Sequence, residues 1–138
     1  TDGEKLDLAG FHITAFDIGS KKMQQFGFLL DLPEGQHLCF AGDEPVKPST
    51  EKYAKGAKWL FSEAYCLYAD RDIYKPYERS HVTSLDAGNL AQKMGVRNMV
   101  IYHTADYGSD RRDRMTQEAA SVFSGNIYVP EDMESIQL

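Results

Sequence analysis

Ser80-His81-Val82-Thr83-Ser84-Leu85-Asp86-Ala87-Gly88-Asn89-Leu90-Ala91-Gln92-Lys93-Met94-Gly95-Val96-Arg97-Asn98-Met99-Val100-Ile101-Tyr102-His103 is the stretch that decides how this chain folds. It opens with a histidine beside hydroxyl residues, of which Thr83 or Ser84 can cap a helix. A short amphipathic helix follows and Gly95 closes it. Met99–Tyr102 is a compact apolar strand that delivers His103 at its carboxyl end. In open α/β sheets chemistry gathers at the carboxyl ends of strands.

Working outward, Asp110–Phe123 reads as a helix, with Met115, Ala119 and Val122 or Phe123 at helical spacing and Gly125 beyond its end. Asn126–Val129 and Met133–Leu138 read as two closing strands around the turn Pro130-Glu131-Asp132. Upstream, Trp59–Phe61 is a short buried strand, and Ser49 or Thr50 can cap a helix through Lys55 that Gly56 ends. Ser62–Ser80 reads as irregular and tyrosine-rich. The first half is strand after strand: Phe11–Phe16, Phe26–Leu32 and His37–Ala41, with a tight turn at Pro33-Glu34-Gly35-Gln36. Thr1–Gly10 is polar and reads as a linker. Strand and helix alternate through the second half, so the fold class is α/β, in a single domain over residues 1–138.

At 138 residues the chain can bury a real core, and 42% hydrophobic and 12% aromatic residues are those of a folded protein. The net charge of −6 argues against a nucleic-acid surface made by charge alone. Cys39 and Cys66 sit among apolar and aromatic neighbours and read as buried free thiols of a reducing, cytoplasmic compartment. No apolar run approaches the roughly 20 residues of a membrane span. The chain begins at Thr1 rather than Met, so an upstream segment, cleaved or left out, is expected.

Four residues fall at strand exits or in loops on one sheet edge. Asp43 follows a strand and Gly42; alone it reads as a loop cap. Glu63 ends the Trp59 strand; alone it reads as a solvent-facing carboxylate. His81 stands at a helix entrance, and His103 at a strand end, where a lone histidine is more often an edge residue than a ligand. Together they are a carboxylate and imidazole set, the chemistry of divalent metal ligands and of acid–base pairs. Lys21-Lys22 and Arg111, Arg112 and Arg114 can contact phosphate but read first as solvated faces. The tyrosines between 65 and 77 can line a groove or pack under the loop. His12 and His37 read as plain strand residues.

Several motifs resemble the metallo-β-lactamase-fold hydrolases of the ribonuclease Z-like branch. Leu38-Cys39-Phe40-Ala41-Gly42-Asp43 resembles the strand and Gly-Asp that carry a metal-bridging aspartate. Phe61-Ser62-Glu63-Ala64-Tyr65 resembles the His-Glu-Ala-Thr segment, with Ser62 and Tyr65 substituted. Ser80-His81-Val82-Thr83 with its helix resembles the His-Ser-Thr segment. Val100-Ile101-Tyr102-His103 resembles the strand that ends in the last metal-binding histidine. The resemblance implies the C-terminal half of an α/β/β/α sandwich, one mixed sheet with helices on its outer face.

It also implies roles: Asp43 as bridging ligand, His103 as terminal ligand, His81 as proton donor or outer-sphere group, and Glu63 orienting it. The implied cofactor is zinc in a two-metal site, with manganese or iron as alternatives. The His-x-His-x-Asp-His motif of the N-terminal half is absent from this chain, and two ligands do not make a tight zinc site. The expected partner is therefore the N-terminal half of the fold, or a second copy, on an exposed apolar sheet face. The implied function is hydrolysis of an RNA or small phosphoester by the complete fold, the chain alone being inactive. The alternative is a binding or assembly module that has lost the metal centre. No glycine-rich dinucleotide motif or Cys-x-x-Cys supports a flavin or thiol enzyme.

Overall fold

The computed structural model describes residues 2–138. Seven strands lie in one sheet in the order of the chain, β1 to β7. β1 (Glu4–Leu8), β2 (Phe11–Asp17), β3 (Phe26–Leu32) and β4 (Gln36–Phe40) run antiparallel to one another. β5 (Trp59–Glu63), β6 (Asn98–Tyr102) and β7 (Asn126–Tyr128) continue from β4 in parallel. Antiparallel strands can be joined by tight turns, whereas parallel neighbours need long crossovers. The crossovers hold α1 (Glu51–Ala54), α2 (Arg71–Tyr74), α3 (Ser84–Met94) and α4 (Arg111–Ala120).

α3 begins and ends as its sequence requires. Thr83 caps it, accepting from the Asp86 amide at 3.2 Å while the Asp86 carboxylate accepts from the Thr83 amide at 3.0 Å. This reciprocal pair satisfies two amides that the first turn leaves free. Gly95 stops the helix in the left-handed region, φ +66°, and its amide bonds back to the last turn.

The two faces of the sheet differ. On the outer face Phe16, Cys39, Leu60, Met99 and Ile101 pack with Ala87 and Ala91 of α3 and Met115 and Ala119 of α4 in one buried cluster. α3 and α4 approach closely at Gly88, where an added Cβ would lie 2.9 Å from the Ala119 carbonyl oxygen. On the inner face Leu38, Trp59 and Val100 form a second cluster with Leu30, Phe40, Phe61 and Ile136. Leu6, Leu8 and Phe11, toward the β1 edge, are exposed. One mixed sheet with helices on one face and an apolar opposite face is the architecture expected from the sequence. Cys39 and Cys66 are free and buried, and burial raises both thiols, Cys39 to about 12 and Cys66 to about 11.

Two readings of the sequence are corrected. Residues 1–10 are not a linker through their length, because Glu4–Leu8 pairs with β2 in the register Leu8↔Phe11 to Glu4↔Ala15. The hairpin turns on Ala9 and Gly10, both with positive φ (51° and 84°). A two-residue loop with that backbone matches the twist of its strands, but Ala-Gly lacks the Asn or Asp that announces it. Met133–Leu138 is not a strand. The chain turns after β7, with the Glu134 amide bonded to the Glu131 carbonyl at 3.1 Å and the Glu134 carboxylate paired with Arg112. Met133 itself is exposed with φ 65°.

Glu118 of α4 ties the start of α3 to the preceding loop. Its carboxylate accepts from the Leu85 amide at 3.0 Å, the Tyr68 amide at 3.0 Å and the Ser84 hydroxyl. An anion at a helix N-terminus meets unsatisfied amides and the positive end of the helix dipole. Glu118→Ala is expected to cost about 2–3 kcal/mol, by the magnitude of hydrogen bonds to a charged group. Urea denaturation checks this, and Glu118→Gln should recover part of the loss.

Candidate metal and acid–base site

The carboxyl ends of β4, β5 and β6 face the entrance of α3, and the candidate residues meet there. Gly42 after β4 has φ +85°, a turn glycine adopts without strain. The Tyr102 hydroxyl donates to the Gly42 carbonyl, and the Tyr102 ring stacks on Phe40 at 5.0 Å. The Asp43 turn is thereby fixed between two strands. Burial, with the charges of Asp43 and Glu63, raises the Tyr102 phenol, so it stays a donor.

Glu63 ends β5 and is 1% exposed. Its Oε1 accepts from the Val82 amide at 2.8 Å. Burial pushes its carboxyl up to about 8; Asp43, Asp86 and Glu44 add to this, and the Val82 hydrogen bond opposes it. His81 lies opposite, its Nδ1 3.6 Å from Glu63 Oε2. That is too long for a hydrogen bond, and both atoms are buried without a partner. Desolvation, with His103 and Lys22, lowers the His81 imidazole; the Asp43 charge and a hydrogen bond to the Asp43 backbone act the other way. The carboxyl thus tends to keep a proton and the imidazole to stay neutral.

His103 follows β6 in the left-handed region, φ 56°, a rare backbone for a non-glycine residue. Its ring centre is 5.0 Å from that of His81. Glu63, His81 and His103 each offer a ligand atom, all within 4.8 Å of one another. One carboxylate and two imidazoles with two orphaned polar atoms between them are a donor set that fits a divalent metal. Asp43 lies outside this group of three, yet its charge acts on Glu63, His81 and Tyr102.

Two residues that the sequence reading did not place in the site hold it together. The Tyr65 amide donates to the Val82 carbonyl at 2.8 Å, and the Tyr65 carbonyl accepts from the Ala105 amide at 2.7 Å. Its backbone therefore links the segments that carry His81 and His103. Its ring stacks on His81 with centres 5.2 Å apart and planes at 22°. Tyr102 is the second, through Gly42. The sequence signal for Tyr65 was its departure from a motif and its place in a tyrosine-rich segment, and that for Tyr102 its place beside His103.

Lys22 and the three arginines of the basic clusters are already partnered. Arg111 pairs with Glu131 at 2.9 Å and donates to the Pro130 carbonyl at 2.6 Å, and Arg114 lies 3.5 Å from Asp70. Lys22 donates to the Arg79 carbonyl at 2.9 Å. Tyr74 packs between Tyr65 and Tyr107, so part of the tyrosine segment is packing. No helix among the described residues is long and apolar enough to cross a membrane.

No family model matches the chain. Among known proteins, a ribonuclease Z of Thermobifida fusca is 35% identical over 100 residues, 72% of this chain and 31% of that protein. Among solved structures, the metallo-β-lactamase fold protein YhfI of Bacillus subtilis superposes with a TM-score of 0.76 at 20% identity, over 95% of this chain and 51% of that one. The short form of human tRNase Z does so with a TM-score of 0.69 at 22% identity, over 96% and 45%. The chain thus spans about a third of the Thermobifida relative and about half of the two solved chains. With its mixed sheet, single helical face and strand-end histidine, the chain has half of a metallo-β-lactamase fold and is similar in sequence to part of a ribonuclease Z.

Proposed function

We propose that the chain is the C-terminal half of a metal-dependent phosphodiester hydrolase and acts only with the other half of the fold. The reading rests on one observation: Asp43, Glu63, His81 and His103 come together at the carboxyl ends of β4, β5 and β6. Asp43 and His103 would hold the metal, zinc by preference, with further ligands from the other half. A bound metal supplies an acidified water and stabilises charge on the scissile group. His81 stands to give a proton to the leaving oxygen, and Glu63, biased toward its protonated form, faces Nδ1 to resupply it. Tyr65 keeps the imidazole plane fixed for that exchange. The inner sheet face, with Phe28, Phe40 and Phe61, would pack against the other half. RNA and small phosphoesters are the substrate classes, and the buried free thiols favour a cytoplasmic setting.

The test is reconstitution. The chain is co-expressed with a first half carrying the His-x-His-x-Asp-His motif, and cleavage of an activated phosphodiester is followed with and without chelator. Chelator-sensitive cleavage by the pair, and none by the chain alone, is expected. A metal-free pair that forms but never cleaves any phosphoester would overturn the reading.

A further inference from the structure

We propose that Glu63, His81 and His103 form a divalent-cation site that shares His103 with the Asp43–His103 pair, does not use Asp43, and is complete without a second half of the fold. Three observations carry it. Glu63 Oε2 and His81 Nδ1 are buried, unpartnered and 3.6 Å apart. With metal–ligand bonds of about 2.0–2.2 Å in tetrahedral geometry, two ligands of one ion stand roughly 3.4 Å apart. The gap is therefore too wide for a hydrogen bond and near the spacing that a shared ion requires. The Glu63 side chain is 0% exposed, so water does not satisfy it from outside. A buried polar atom of this kind costs free energy unless something fills the gap.

The third observation is the surroundings. The Asp43 backbone favours a proton on the His81 ring, and a metal-binding imidazole almost always engages a carbonyl or carboxylate through its other nitrogen. Oε1 of Glu63 is held by the Val82 amide, which leaves Oε2 to face His81. Tyr65 stacks on His81 and stands 6.2 Å from the His103 ring, fixing two of the three groups. His103 is the exposed member and leaves the solvent side open. Three protein ligands with an open position is the arrangement of an exchangeable zinc-type site.

The site does not depend on the hydrolase reading, since it needs neither substrate nor partner. If that reading holds as well, an ion here occupies the Nδ1 lone pair that proton transfer uses, so the cation inhibits.

Cobalt(II) titration of the 138-residue chain, followed by visible absorption and by calorimetry, tests the proposal. One ion per chain is expected, with the absorption of four- or five-coordinate cobalt, and zinc should displace it. Glu63→Gln, His81→Gln and His103→Gln should each weaken binding more than about 100-fold, beyond typical effects of losing an outer-sphere partner. His37→Gln, in β4, should leave it unchanged. Glu63→Gln keeps the acceptor for the Val82 amide, and circular dichroism confirms its fold. His103→Gln, at an exposed position, gives a second variant if that one fails. No cobalt uptake would overturn the proposal. So would loss of binding in Asp43→Asn with retention in Glu63→Gln, because the ion would then sit between Asp43 and His103.

Discussion

Asp43→Ala is expected to lower phosphodiester hydrolysis by the assembled fold more than about 100-fold, above the usual cost of losing a group one step removed from a metal. The fold should survive. The Asp43 side chain is only partly buried, and no hydrogen bond or ion pair of its carboxylate is found among the described residues. The Gly42 turn beside it is fixed from elsewhere, by the Tyr102 hydroxyl and by the Ala41 amide on the Phe61 carbonyl at 2.9 Å. Alanine therefore removes charge and ligand but not scaffold. It also removes a charge that raises the His81 imidazole, so less of it carries the extra proton. Activity and urea midpoint should be measured together. Unchanged activity with an intact fold would leave the non-catalytic binding module as the better account.

Leu60→Ala is expected to destabilise the chain by about 2–5 kcal/mol, the range for emptying a well-packed leucine site. Leu60 is 0% exposed, in the strand between β4 and β6, with Cys39 and Met99 as its register partners. Its neighbours belong to the cluster under α3 and α4, and α3, capped at both ends, cannot readily close over a cavity. A shift in urea midpoint at constant slope is the expected signature. Leu60→Met, nearly equal in volume, should cost less than about 1.5 kcal/mol. The change reaches the site as well, since β5 ends at Glu63.

The sequence made the parallel half legible for a physical reason. α3 has a polar cap, an apolar stripe and a glycine stop, and β6 is a pure apolar run, so local chemistry and tertiary burial agree there. Where they part, the reading fails. β1 is exposed along its whole length, so no burial pattern marks it, and its turn uses alanine rather than asparagine. Met133–Leu138 has strand-like residues, but β7 pairs over three residues only and the chain is then drawn aside by Arg112. At the site, Asp43, Glu63, His81 and His103 could be named because their side chains carry chemistry at strand ends. Tyr65, Tyr102 and Glu118 could not, because their importance lies in what they touch across 17 to 60 residues of chain.

Strand order that follows chain order has a mechanical meaning. β1, β2 and β3 hang from β4 as successive antiparallel hairpins, each paired in the sheet only with its neighbours. A pull on the N-terminus would open these ladders one rung at a time, like a zipper, under low force. β4, β5 and β6 lie parallel and are clamped by the helices on the outer face. They would have to shear with many bonds breaking together. The chain therefore has a compliant leash and a stiff anchor, and the candidate site lies wholly on the anchor.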